Sequence, residues 1–221
     1  MNGIEQIVSI PAGPVSLEGA LHAPKGAGGI VIFSHGSGSG RLSPRNQFVA
    51  AELRKLGLGT LLLDLLTEEE DVDYELRFDI SLLTQRLGYA VRFIRDNADT
   101  STAPIGLFGA STGAASALRV AASMSTDVSA VVSRGGRPDL TGADALSKVR
   151  SPTLLIVGGN DFGVIELNES AREGLVECQC ELVIVPGATH LFEERGKLEE
   201  VARLAGDWFS RHLMSANTSQ E

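Results

Sequence analysis

The chain has 221 residues, 43% of them hydrophobic and 21% charged, which is ordinary globular composition with enough length to bury a sizeable core. Its formal charge of -9 repels polyanions, so nucleic acid and anionic membrane are not expected as partners. No apolar run approaches the roughly 20 residues of a membrane span, and the opening Met-Asn-Gly-Ile-Glu-Gln lacks the basic and apolar segments of a secretory signal, so a cytoplasmic location is expected.

Residues 4–10 and 15–22 alternate in polarity around Pro11-Ala12-Gly13-Pro14, which predicts an antiparallel hairpin at one edge of a sheet. Six short apolar runs follow, at residues 30–33, 60–66, 105–108, 128–132, 153–157 and 182–185; strands apolar at every position imply a central parallel sheet covered on both faces. Between them lie helical patterns. Ser43-Pro44 can cap and open a helix carrying Val49, Leu53 and Leu56, which Gly57 ends. Leu83, Leu87, Ala90, Val91 and Ile94 form a second stripe, and Leu198, Val201, Ala205 and Trp208 a third. Strand alternating with helix predicts an α/β fold, mostly parallel, with one domain over residues 1–214 and a flexible tail at 215–221. The longest interruption, residues 65–78, is too short for a large lid, and its acidic run from Glu68 to Asp73 is expected on a solvated loop. Cys178 and Cys180, one residue apart, read as reduced structural thiols.

Gly109-Ala110-Ser111-Thr112-Gly113 lies between the apolar run at 105–108 and a small-residue stretch at 114–122, so it reads as strand, sharp turn and helix. In such a turn the serine hydroxyl stands exposed, and a side chain at either flanking glycine would strike a neighbouring element. A serine needs a base within hydrogen-bond reach and a third group to orient that base. His190 follows the strand at 182–185, at the carboxyl edge of the sheet where ligands collect in open α/β folds. Asp161 follows the strand at 153–157 and precedes His190, the chain order expected of this type of site; Asp139, after the preceding strand, competes with it. The backbone N–H of Thr112, opening a helix, and that of Ser37, after the strand at 30–33, are the expected donors to an oxyanion. His35 is expected to brace that loop.

These motifs resemble the α/β hydrolases and, within them, the dienelactone hydrolase family, from about residue 15 to 213. The resemblance rests on His35-Gly36, the serine turn, Gly159-Asn160-Asp161 and Gly187-Ala188-Thr189-His190. Residues 35–46 and Arg134-Gly135-Gly136-Arg137-Pro138-Asp139 resemble a bacterial subgroup found joined to phosphoribosyltransferase domains, and no such domain is expected in this chain. The resemblance implies hydrolysis of an ester, thioester or lactone through an acyl-enzyme on Ser111, with no cofactor and no metal. The dienelactone hydrolases that name the family carry cysteine where this chain has Ser111, which leaves the substrate open.

Arg41 and Arg45 follow the loop at 35–40, and Arg134 and Arg137 follow the strand at 128–132, so all four are candidate binders of a substrate carboxylate or phosphate. The alternative for them is pairing with local acids such as Asp139. Two other functions compete with this reading. A nucleotide-binding enzyme would use Gly36-Ser37-Gly38-Ser39-Gly40 and Asp64, but a dinucleotide fingerprint wants its third glycine where Arg41 stands. A binding or regulatory module could retain the shape without activity. The expected partner is a small-molecule substrate, and the chain is expected to be a monomer or homodimer.

Overall fold

The computed structural model describes residues 6–214; residues 4 and 5 of the expected first strand and the expected tail at 215–221 lie outside them. In chain order the elements are β1 (Gln6–Ala12), β2 (Val15–His22), β3 (Ile30–Ser34), α1 (Pro44–Lys55), β4 (Gly59–Leu63), α2 (Glu68–Asp71), a short 3-10 turn (Leu76–Phe78) and α3 (Ile80–Asp96). Then come β5 (Ile105–Ala110), α4 (Thr112–Ser123), β6 (Val128–Arg134), a 3-10 turn (Pro138–Thr141), α5 (Ala143–Leu146), β7 (Thr153–Gly158), α6 (Phe162–Gly174), β8 (Cys180–Val185) and α7 (Lys197–Leu213).

The sheet has eight strands in the order β1-β2-β4-β3-β5-β6-β7-β8. β1 and β2 form the antiparallel edge hairpin, in register from Gln6 opposite Leu21 to Ala12 opposite Val15, and β2 runs antiparallel to β4. Every later pairing is parallel.

Period-two alternation sends each strand's side chains into two separate cores. Ile30, Ile32, Ile105, Leu107, Val131 and Leu155 face α3 and α4, packing against Leu83, Leu87, Val91, Ile94 and Leu118. Val31, Phe33, Phe108, Val132, Leu154 and Ile156 face α1 and α7, against Val49, Leu53, Val201, Trp208 and Phe209. Both faces of the inner strands are therefore dry, and each fully buried large side chain contributes roughly 1.5–3 kcal/mol.

The helix ends follow local chemistry. The Ser43 side chain accepts the Asn46 N–H at the start of α1, Pro44 is its first helical residue, and the Asp79 side chain accepts the Leu82 N–H at the start of α3. The acidic run departs from expectation: Glu68–Asp71 is a helical turn, because Thr67 and Glu70 exchange hydrogen bonds with each other's backbone N–H. Glu70 also pairs with Arg86, whose side chain is 4% exposed, so the turn is tied down at one residue while Glu68, Glu69 and Asp73 stay exposed, as expected of a solvated segment.

The strand expected at 60–66 stops at Leu63, since Asp64 turns away to bind Arg41. β8 begins at Cys180 and is half exposed, as an edge strand must be. Cys178 and Cys180 are free thiols, and burial, then the neighbouring Cys178, pushes the Cys180 thiol up to about 12. It stays protonated and unreactive near neutrality. No described helix is long and apolar enough to cross a membrane.

Candidate active site

The turn between β5 and α4 puts Ser111 at φ 51 and ψ -121, a conformation side chains rarely adopt, directly at the carboxyl edge of the sheet. It is held by backbone bonds on both sides: the Ser111 N–H donates to Arg134 O at 3.2 Å, and the Arg137 N–H donates to Ser111 O at 3.0 Å. The flanking glycines are there for space. A Cβ on Gly109 would lie 2.5 Å from the Ala114 Cα, and one on Gly113 would lie 2.1 Å from the Ser34 carbonyl oxygen.

His190 reaches this serine from the loop between β8 and α7. Its Nδ1 is 2.7 Å from Asp161 Oδ2, and its Nε2 is 3.4 Å from Ser111 Oγ. Donation from Nδ1–H to the carboxylate leaves the Nε2 lone pair facing the hydroxyl, the tautomer that proton abstraction requires. The serine contact is long, as such contacts often are without substrate. Asp161 stands at the start of α6, just past β7, with its carboxylate turned to His190, while Asp139 forms a two-pronged pair with Arg137, at 2.9 and 2.8 Å.

The histidine loop is pinned in part by Glu194 and Phe192, which no sequence pattern singled out. The Thr189 N–H and hydroxyl both donate to Glu194, and the Asn160 N–H donates to Ala188 O at 2.9 Å. Phe192 sits at φ 58 with its ring fully buried, an anchor two residues beyond His190. A lone phenylalanine or one glutamate among many carries no local signal of this role.

Across the turn, Thr112 opens α4, so its N–H has no intrahelical acceptor. The Ser37 N–H donates to the Thr112 hydroxyl at 3.1 Å, which ties the β3 loop to the start of α4. Next to it, His35 is 6% exposed, donates from Nδ1 to Gly36 O and accepts the Leu65 N–H at Nε2, both at 2.9 Å. Burial pushes its pKa below the usual histidine value, so it stays neutral and ties the β3 loop to the end of β4.

Of the four arginines, Arg41 pairs with Glu18 and Asp64, Arg137 with Asp139, and Arg45 with Glu193 at 2.7 Å. Arg134 is buried, and among the described residues no carboxylate pairs with it. A cavity of about 580 Å³ opens beside the β3 loop, lined by Glu18, Arg41, Asp64, Glu68 and Asp71 among others. None of Ser111, Asp161 and His190 lines it, so this hollow is not centred on the serine turn. Among the described residues no group of histidine, cysteine and carboxylate side chains could hold a metal ion.

Comparison with known proteins gives three findings. A family model described as the dienelactone hydrolase family matches residues 18–215. A Mycobacterium tuberculosis protein, provisionally named a phosphoribosyl transferase, is 52% identical over 215 residues; these are 97% of this chain and 48% of that protein, so the chain spans about half the length of the curated relatives it matches. Among solved structures, a dienelactone hydrolase from Anabaena variabilis is 53% identical, with a TM-score of 0.93 over 96% of this chain and 99% of that one. Est1E from Butyrivibrio proteoclasticus has a TM-score of 0.79 at 18% identity, covering 96% and 99% of the two chains, a likeness of fold.

Proposed function

Because the chain belongs to the dienelactone hydrolase family of α/β-hydrolase enzymes, we propose that it is a serine hydrolase acting on a small ester, thioester or lactone through an acyl-enzyme. In this reading Ser111 Oγ attacks the carbonyl carbon while its proton passes to His190 Nε2. The Asp161 carboxylate holds the imidazole and stabilises its positive charge. The N–H groups of Thr112 and Ser37 receive the oxyanion, and the Ser37 N–H then shares itself between that oxygen and the Thr112 hydroxyl. The leaving group takes the proton from His190 as the tetrahedral intermediate collapses, and water attacks the acyl-serine by the same route.

The observation that carries this reading is the line of contacts from Asp161 through His190 to a strained Ser111, at 2.7 and 3.4 Å. A serine hydroxyl, unlike a thiolate, cannot be preformed as an anion by nearby charge, so the base beside it is required for attack. The phosphoribosyl transferase name of the mycobacterial relatives is not carried over, since more than half of their length lies outside the match.

A fluorophosphonate probe tests the proposal. Stoichiometric labelling of wild-type protein, absent in Ser111→Ala, is expected; folded wild-type protein that takes up no probe overturns it. A panel of p-nitrophenyl esters, thioesters and lactones then orders the substrate classes.

A further inference from the structure

Arg134 ends β6 with its side chain 5% exposed. Its Nη2 makes one long hydrogen bond, 3.4 Å to Asn46 Oδ1, and among the described residues its Nε has no partner. Burial, and then the like charge of Arg45, push the guanidinium down to about 10, so it remains charged near neutrality. Buried ions are normally paired, because loss of their water is otherwise uncompensated. Buried Arg86 meets that rule through Glu70, whereas among the described residues no carboxylate pairs with Arg134.

The guanidinium is directed at the first turn of α1, a helix of 12 residues. Pro44 there has no N–H and the Asn46 N–H goes to the Ser43 side chain, which leaves the Arg45 N–H without an intrahelical acceptor. The helix dipole adds positive potential at the same point. Arg45 stands at the rim, its guanidinium 2.7 Å from Glu193 in the loop after His190. The place therefore lies between the serine turn, whose N–H bonds the Arg134 carbonyl oxygen, and the histidine loop.

We propose that Arg134, Arg45, Asn46 and the first turn of α1 bind a phosphoryl group, and that the substrate of the Ser111 site is an ester or lactone that also carries a phosphate. The word substrate rests on the hydrolase reading above, and the anion site does not. The Arg134 guanidinium from β6 meets the start of α1, which carries Arg45 and its own helix terminus. That suits a tetrahedral dianion with three free oxygens, where a planar carboxylate would leave one donor group unmet. Glu193 already engages Arg45, so Arg134 supplies the charge that only the incoming anion neutralises.

Thermal unfolding of the full chain in inorganic phosphate, against chloride and acetate at equal ionic strength, reads the anion site directly. A saturable rise in Tm specific to phosphate is expected. Arg134→Gln should abolish it, and Arg45→Gln, on the half-exposed rim, should weaken phosphate about tenfold, the scale of one charged hydrogen bond. Should Arg134→Gln fail to fold, Arg45→Gln decides alone. Absence of the rise in wild-type protein, equal protection by acetate, or a rise unaltered in Arg45→Gln overturns the proposal.

Matched esters with and without a phosphate then separate the sources of the anion. Preference for the phosphorylated ester should drop about tenfold or more in Arg45→Gln, and inorganic phosphate should compete with that ester alone. Phosphate binding without preference or competition assigns the site to a free phosphate ion and overturns the substrate assignment. Fluorophosphonate labelling of Ser111 is read in parallel: its failure, with the phosphate response intact, removes the hydrolase reading and leaves the anion site standing.

Discussion

Ser111 holds a positive φ at a cost of order 1–3 kcal/mol, and the backbone bonds to Arg134 and Arg137 over-determine that conformation. The result is a hydroxyl presented to His190 Nε2 instead of being folded back onto the first turn of α4, where no side-chain cap is made. In the proposed mechanism Asp161 acts at one remove, by fixing which ring nitrogen carries the proton. Asp161→Asn should therefore lower kcat by about ten-thousand-fold, as loss of the orienting carboxylate does in such sites. Asp139→Asn, which disturbs only the pair with Arg137, should leave kcat near wild type. Steady-state kinetics on any ester that the enzyme turns over checks both, and equal losses in the two variants would reject Asp161 as the partner. Chain order favoured Asp161 over Asp139 in the sequence, but both follow strands, and only the 2.7 Å contact separates them.

Among the elements, the junction of β5 with α4 leaves no room for growth. Gly113→Ala would drive a methyl into the Ser34 and His35 carbonyl oxygens, at 2.1 and 2.5 Å. Backbone cannot swing aside as a side chain can, so destabilisation of about 3 kcal/mol is expected in denaturant unfolding. Gly163→Ala is the contrasting case. It lies in α6 with nothing near the added methyl, and it should stabilise by roughly 0.5–1 kcal/mol through the helix propensity of alanine. A stable Gly113→Ala protein would mean that helix and strand can separate there. α6 itself shows why some elements escape a reading by periodicity: only Asn168 and Ala171 are buried in it, too thin a stripe to register. The turn at Glu68–Asp71 escaped for another reason, since its capping box and its tie to Arg86 are contacts that four acidic residues in a row do not advertise.

For the whole molecule, buried His35 couples stability to pH, because its neutral ring both donates to Gly36 and accepts from Leu65. Desolvation lowers its folded-state pKa, so the unfolded chain binds the proton more readily. Stability from this group is complete above the unfolded histidine value of about 6.5 and falls as pH drops below it. His212, lowered by burial and by Arg211, adds in the same direction. Unfolding free energy measured from pH 7.5 to 5 should decline in wild-type protein and decline less steeply in His35→Gln; identical slopes would remove His35 as a cause. The sequence by itself determined the strand and helix alternation, the edge hairpin and the serine turn, because periodicity and steric punctuation are local properties of the chain. Tertiary structure decided which aspartate meets His190, that the Ser37 N–H rests on the Thr112 hydroxyl, and that Arg41, Arg45 and Arg137 find carboxylates while Arg134 finds none among the described residues. Those outcomes depend on side chains brought together from distant strands and helices, and spacing along the chain does not encode such distances.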